Sequence, residues 1–381
     1  MMKKTLVVGA LAGVCATMAH AQSSVTLYGL IDVGITYTNN QQGHANWQLN
    51  SAPINGNRWG LRGAEDLGGG LKAIFTLENG FNTNNGTLGQ QGRMFGRQAF
   101  VGLSSDEYGT VTLGRQYDDI VQYLGPLSLT GTQYGGTYFA HPFDNDNLDN
   151  SFRVNNSVHY QSVNYAGFKL GAMYGFSNQA GGFANNREYS VGASYSFSGF
   201  NFAAAFLQLN HAVNLATSTG AVTDSPFLSA SQQRIWGGGL NYSFGPATAG
   251  FVFTQSRLYN ATGIFGAGPS SAVSNLVFAA PSTLRFNNYE INARYALTPA
   301  LSLAAEYTFT DGEMNAAHPK WNMVGLLADY YLSKRTDVYL QGEYQHVNND
   351  GVTNLNAFIN GLKPSATQNQ VAVTAGLRHR F

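Results

Sequence analysis

Gln370-Val371-Ala372-Val373-Thr374-Ala375-Gly376-Leu377-Arg378-His379-Arg380-Phe381 closes the chain. In an extended strand, Val371, Val373, Ala375, Leu377 and Phe381 share one face, while Gln370, Thr374, Arg378 and Arg380 share the other. One oily face and one charged face suit a wall between lipid and water. The pattern recurs back to residue 25. Val25, Leu27, Ile31, Val33, Ile35 and Tyr37 oppose Thr26, Asp32 and Thr36; Tyr289, Ile291, Ala293 and Tyr295 oppose Glu290, Asn292 and Arg294. Phe152, Val154, Val158 and Tyr160 are expected to oppose Arg153, Asn155, Ser157, His159 and Gln161. Around Arg97 and Arg115 both faces are mixed.

Connections between these runs alternate in length. Short turns fall at Asp66-Leu67-Gly68-Gly69, Ser105-Asp106-Glu107-Tyr108, Ser198-Gly199, Gly245-Pro246, Thr298-Pro299 and Ser333-Lys334-Arg335. Their Gly, Pro, Asp and Ser residues supply the backbone angles that tight turns need. Long polar stretches lie near 38–54, 118–150, 211–232, 259–283 and 349–368. Such loops are uncommon in a compact soluble domain, but alternate short turns and long loops are the habit of transmembrane barrels. The expected fold is all-β: a closed antiparallel transmembrane β-barrel of about sixteen strands, wide enough for an aqueous channel. A secreted β-sandwich or β-helix also alternates strands and turns. It would not explain the alternating loop lengths, and a sandwich would carry more surface charge.

Composition agrees. Charged residues make up 11% of the chain, against about 25% in typical soluble domains. Met1-Met2-Lys3-Lys4, an apolar run from Thr5 to Met18, and Ala19-His20-Ala21 form a signal peptide, residues 1–21, removed on export. The apolar run is shorter than the roughly 20 residues a spanning helix requires. Residues 22–381 then form a single barrel domain without Cys15, the one cysteine, and so without disulfide or thiol chemistry. Lys3 and Lys4 leave a chain with 21 basic and 21 acidic residues, so the remainder is slightly acidic and offers no footprint for nucleic acid.

Val25-Thr26-Leu27-Tyr28-Gly29, the stretch from Asn57 through Arg58-Trp59-Gly60-Leu61-Arg62-Gly63 to Leu71, Arg97-Gln98-Ala99-Phe100-Val101-Gly102-Leu103, Gly109-Thr110-Val111-Thr112-Leu113-Gly114-Arg115-Gln116 and the terminal Phe381 occur in that order. Together they resemble the trimeric general porins of Gram-negative bacteria, in their β-proteobacterial branch. The resemblance spans essentially the whole chain after residue 21. It implies a homotrimer of sixteen-stranded barrels in the outer membrane, in contact with its lipid and lipopolysaccharide, with a third long loop folded inward. It also implies that the strand ending in Phe381 is read by the outer-membrane assembly machinery, and that trimer contacts involve the first strands and the second loop near 83–93.

A diffusion pore needs a constriction, not a catalytic group. The stretch from about 118 to 150 is the expected plug, with Asp118, Asp119, Asp144, Asp146 and Asp149 as its acidic residues. Parity directs Arg58, Arg62 and Arg153 inward, and the family's basic wall pattern matches Arg58, Arg97 and Arg153; Arg115 is a further candidate. Arginines facing carboxylates would set a transverse field across the throat and lean toward anions. Alternatively the arginines only pair with interior acids such as Asp32, Glu78, Glu290, Glu306 and Glu343. Passive diffusion of small hydrophilic solutes and ions is the expected function. A substrate-selective porin, with Tyr123, Tyr134, Tyr138 and Phe139 as a sugar or organic-acid slide, is the first alternative; a mainly adhesive barrel using 211–232 and 259–283 is another. No cofactor or metal is expected: Asp144-Asn145-Asp146-Asn147-Leu148-Asp149 lacks the central glycine and final glutamate of a calcium loop. The histidines are scattered, and no G-x-S-x-G occurs.

Overall fold

The computed structural model describes residues 24–210, 220–223, 228–264 and 276–381. The expected signal peptide lies outside them, as do parts of the long stretches at 211–232 and 259–283. Backbone pairing follows the side-chain alternation. The strands are β1 (Ser24–Gln41), β2 (His44–Ser51), β3 (Arg58–Gly68), β4 (Leu71–Gly80), β5 (Gln98–Ser105) and β6 (Gly109–Gln116). After the long third loop come β7 (Val154–Gln161), β8 (Phe168–Gly175), β9 (Arg187–Phe197), β10 (Phe200–Asn210) and the two-residue β11 (Leu228–Ser229). Then follow β12 (Gln232–Phe244), β13 (Ala247–Ile264), β14 (Leu276–Ala296), β15 (Leu301–Met314), β16 (Lys320–Tyr331), β17 (Thr336–Asn348) and β18 (Asn369–Arg380).

Apart from β2 and β11, sixteen strands pair antiparallel around a closed ring. The ring shuts where β1 meets β18, from Leu30↔Arg380 to Thr38↔Ala372, while the start of β1 pairs with β3 from Ser24↔Ala64 to Leu30↔Arg58. Phe381 extends this seam by exchanging backbone hydrogen bonds with Gly29 at 3.0 and 3.1 Å. Its ring occupies the space where a Cβ at Gly29 would stand. Closure matters physically because an open sheet edge in hydrocarbon would leave N–H and C=O groups unpaired.

The outward face is apolar, with Val25 63% and Leu27 58% exposed, whereas Asp32 and Thr36 of the same strand are fully buried inside. Outward aromatics concentrate on β9–β15. Tyr195, Phe197, Phe200, Tyr242 and Phe244 stack toward the short-turn end. Trp236, Phe253, Tyr289 and Phe309 form a second row, with neighbouring centroids 5.1–6.2 Å apart. Two aromatic girdles mark the two interfaces of a bilayer. By contrast β1, β5 and β6 present Val25, Leu27, Ile31, Ile35, Val101, Leu103, Val111 and Leu113.

Three sequence expectations change. Residues 259–264 and 276–283 are strand rather than loop, because β13 and β14 continue as a paired hairpin beyond the barrel. Much of 38–54 is likewise the β1–β2 hairpin. Polar strands outside the bilayer show no oily alternation and so read as loops. Finally, Phe152 and Val154 point inward and are buried, opposite to their expected face. Asn156, at φ 53°, inserts an extra residue, and the β6–β7 register shifts between Gly114 and Gln116. This bulge turns Val154 inward, while Phe152 and Arg153 precede the strand and follow no alternation.

Candidate functional site

The third loop, between β6 and β7, does not leave the barrel. It runs through the lumen as a π-turn at Ile120–Leu124 and short 3-10 turns at Gly125–Leu127, Thr137–Phe139 and Pro142–Asp144. Apolar side chains hold it to the inner wall. Ile120, Tyr123, Leu124, Leu127 and Leu148 pack on Ala203, Ala205, Leu207, Ile235 and Val252. Phe143 packs edge-on against Phe286 and Trp321 and is stacked on Phe358, and Leu129, Tyr138 and Phe139 pack on Ala304, Leu327 and Tyr339. The wall makes room with glycine: a Cβ at Gly325 would come 2.7 Å from the Phe139 ring. Each such dock removes apolar surface from water, worth about 25 cal/mol per Å².

Four of the five acidic loop candidates are spent on the loop itself: Asp118 and Asp144 brace its turns, and Asp119 and Asp146 tie it to the wall. Asp118 accepts from the backbone N–H groups of Ile120 and Val121 at 2.8 and 3.1 Å and from the Asn147 amide at 2.7 Å. Asp119 faces His159 Nε2 at 3.1 Å and accepts from the Ser190 hydroxyl at 2.9 Å, tying the loop to β7 and β9. Asp144 accepts from the N–H groups of Asp149 and Ser151, both at 3.0 Å. Asp146 accepts from the Thr254 hydroxyl and lies 2.6 Å from His141 Nδ1. His141 Nε2 in turn lies 3.2 Å from Glu290 Oε2 on β14. Burial pulls the imidazole down, but Asp146 and Glu290 outweigh it and push His141 up to about 10, so it stays cationic.

Only Asp149 faces open space. It borders a cavity of about 540 Å³ that is also lined by Arg58, Arg97 and Arg153 and by Glu78, Gln98 and Tyr117. Arg97 Nε donates to Glu78 Oε1 at 2.7 Å, and its Nη2 donates to the Tyr117 hydroxyl at 2.9 Å. Tyr117 and Tyr28 each donate to Glu78 at 2.9 Å. The guanidiniums of Arg97 and Arg153 sit 5.9 and 5.8 Å from the Tyr117 ring centroid. Arg58 donates to the Gly56 carbonyl at 3.1 Å. Pairing with an interior acid therefore holds for Arg97, yet three guanidiniums still face two carboxylates around one space.

The other arginine candidates lie elsewhere. Arg62 is exposed and stacked over Tyr28 at 5.3 Å, away from the cavity lining. Arg115 stands opposite Ala99 on the outward face of β6, donates to the Gly96 carbonyl at 2.8 Å and to Asn155 Oδ1 at 2.5 Å, and borders a separate cavity with Arg93. As a pore-wall residue it is corrected by strand parity: Leu113, two residues earlier, is exposed on the same face. Tyr28 and Tyr117 escaped the sequence reading. Tyr117 begins a loop, where no periodicity assigns a face.

Burial raises the Asp149 carboxyl to about 7, against the opposing pull of Arg153 and Arg97. Burial, with Asp149 and Asp146 close by, raises the Asp144 carboxyl well above its ordinary value. A raised carboxyl is charged above its pKa and neutral below. Acidifying from about pH 8 to about pH 6 should therefore make the cavity more positive and increase anion preference. Asp149→Asn should flatten this dependence in reversal-potential measurements; a retained slope would move the titration to another group.

A family model described as Gram-negative porin matches residues 6–351. An outer membrane porin protein of Bordetella pertussis is 32% identical, and outer membrane porin protein 32 of Delftia acidovorans is 29% identical, each over the full length of both chains. Among solved structures, an anion-selective porin from Comamonas acidovorans superposes with a TM-score of 0.72 at 24% identity, covering 94% of this chain and 100% of that one. The trimer form of OmpT from Vibrio cholerae gives 0.63 at 15% identity, covering 94% and 99%.

Proposed function

The chain belongs to the Gram-negative porin family, passive channels of the outer membrane, and on that premise we propose that its throat lies between Asp149 and the arginines Arg58, Arg97 and Arg153 and favours anions. The observation that carries this reading is the imbalance of three guanidiniums over two carboxylates around one cavity of about 540 Å³. In a narrow passage with low-dielectric walls, fixed charges focus the field and enrich the counter-ion. Small hydrophilic solutes and ions cross by diffusion, and we infer that the protein performs no catalysis. The Comamonas porin is named anion-selective, which accords with this assignment.

A saccharide slide on the loop aromatics has less support: Tyr123, Tyr138 and Phe139 are 5%, 3% and 0% exposed, and Tyr134 is partly buried against the cluster that holds Tyr138 and Phe139. A homotrimer fits the division of the outer surface, with aliphatic β1, β5 and β6 against neighbouring copies and the aromatic-banded β9–β15 toward lipid. Residues 1–21 are taken to be removed on export.

Planar-bilayer recording of the purified protein under a salt gradient tests the reading. The zero-current potential should carry the sign of chloride preference, and insertion should occur in units of three conductance steps. A cation-sign potential would overturn the assignment of the throat. We further expect Phe381→Ala to lower the amount reaching the outer membrane several-fold while refolding into detergent proceeds, because the hydrogen-bonded seam at Gly29 is made by backbone atoms. Equal outer-membrane levels would remove Phe381 as the assembly signal.

A further inference from the structure

Three arginines stand side by side on the outside of the barrel. Arg234 of β12 is registered with Arg257 of β13, and Arg257 with Arg285 of β14. All three alternate with buried lumen residues (Gln233 and Ile235, Ser256 and Leu258, Leu284 and Phe286) and so point outward. Neighbouring strands are about 4.8 Å apart, and like charges directly opposite each other destabilise a sheet. The flanking positions of the row are Gln208 on β10 and Glu313 on β15. Glu313 answers one charge, at 2.6 Å from Arg285. Arg234 donates to Gln208 at 2.8 Å, and the guanidiniums of Arg234 and Arg257 lie 5.4 and 5.1 Å from the Tyr259 ring centroid. Stacking on Tyr259 aligns the two cations without neutralising them.

Height decides what meets this row. Trp236, Phe253 and Tyr289 of the second aromatic girdle lie on the same strands, two or four residues nearer the midplane. Between girdle and arginines runs an amide layer, in which Trp236 donates to Gln255 and Gln255 to Asn287. Eleven residues separate Arg257 from Pro246 in the short turn. At about 3.4 Å per residue and a tilt near 40° this is about 28 Å, just past the roughly 25 Å apolar band of an outer-membrane barrel. The arginines therefore sit at headgroup level on the long-loop side. Lipid, not the pore solution, faces them there.

We propose that Arg234, Arg257 and Arg285 form a binding platform on the outer wall for the phosphate groups of an outer-leaflet glycolipid headgroup. Guanidinium forks match phosphate oxygens bidentately, and a phosphate between adjacent arginines relieves their mutual repulsion. The aromatic row below meets the acyl chains of the same lipid.

The probe is bisphosphorylated lipid A, titrated against the detergent-purified full chain and read as bound stoichiometry by native mass spectrometry. An interfacial Arg contributes roughly fivefold in affinity for an anionic surface, so R234Q/R257Q/R285Q should bind on the order of 100-fold more weakly. R257K should stay within roughly fivefold of the parent, because the charge remains. Channel conductance should be unchanged. Enzymatically dephosphorylated lipid A should bind no better to the parent than lipid A does to the triple variant. Undiminished binding by the triple variant overturns the proposal, as does equal binding of the dephosphorylated lipid. Complete displacement by millimolar inorganic phosphate would make this a free-phosphate site and overturn the lipid assignment. Should the triple variant fail to fold, R257Q alone must weaken binding, and an unaltered affinity there is equally decisive against it.

Discussion

Replacing Arg58, Arg97 and Arg153 together with glutamine should reverse the ion preference of the open channel. The parent cavity sets three guanidiniums against Glu78 and Asp149; the variant leaves the two carboxylates alone. At an effective dielectric constant of about 20, a unit charge about 8 Å from a passing ion is worth roughly 2 kcal/mol, so removing three of them outweighs any screening by ordinary salt. The zero-current potential should change sign, while single-channel conductance changes far less, because glutamine keeps most of the side-chain volume. Glu78 retains its donors Tyr28 and Tyr117 at 2.9 Å, so the wall itself is expected to hold. Glu78→Gln alone should act the other way: it frees Arg97 from its 2.7 Å partner and strengthens anion preference. A reversal potential left unmoved by the triple replacement would show that selection happens elsewhere along the lumen.

The barrel was legible because its physics is periodic. Where a strand lies between lipid and water, every second residue must answer to hydrocarbon, and the alternation in residues 370–381 returns as buried Gln370, Thr374 and Arg378 against exposed Val373, Leu377 and Phe381. Legibility fails where periodicity does. The bulge at Asn156 turned Val154 inward, and Phe152 lies in loop backbone that keeps no alternation. The constriction loop could be located from its length and charge, but not oriented. Asp118 and Asp144 look like pore acids on paper and prove to be caps and braces for turns, whereas Asp149, with the same chemistry, borders the cavity. Arg115 shows the converse: a basic residue inside a family-like motif whose strand parity sends it outward. His141 had no sequence signal at all, since its partners Asp146 and Glu290 lie 5 and 149 positions away and meet only when the loop folds back.

His141 should prove to be the pin of that loop. Its ring stands between Asp146 on the loop and Glu290 on the wall, and all three side chains are inaccessible to solvent. His141→Ala strands two carboxylates in a buried space, and breaking a buried ion pair by removing one partner costs about 3–5 kcal/mol. The cost falls on the docked loop rather than on the barrel, whose hydrogen-bond ladder is closed through β1 and β18 without it. Every 1.4 kcal/mol is tenfold, so the undocked population should rise by roughly two to three and a half orders of magnitude. Single-channel records should then show flicker between conductance levels, and protease should reach residues 118–150 while the barrel core stays protected. Removing the stranded charges as well, in H141A/D146N/E290Q, should quiet the channel again. That rescue separates an electrostatic pin from mere loss of volume, because the triple variant has the same missing ring. Quiet records and protease resistance in His141→Ala itself would mean that the apolar docks of Tyr123, Phe139 and Phe143 hold the loop unaided.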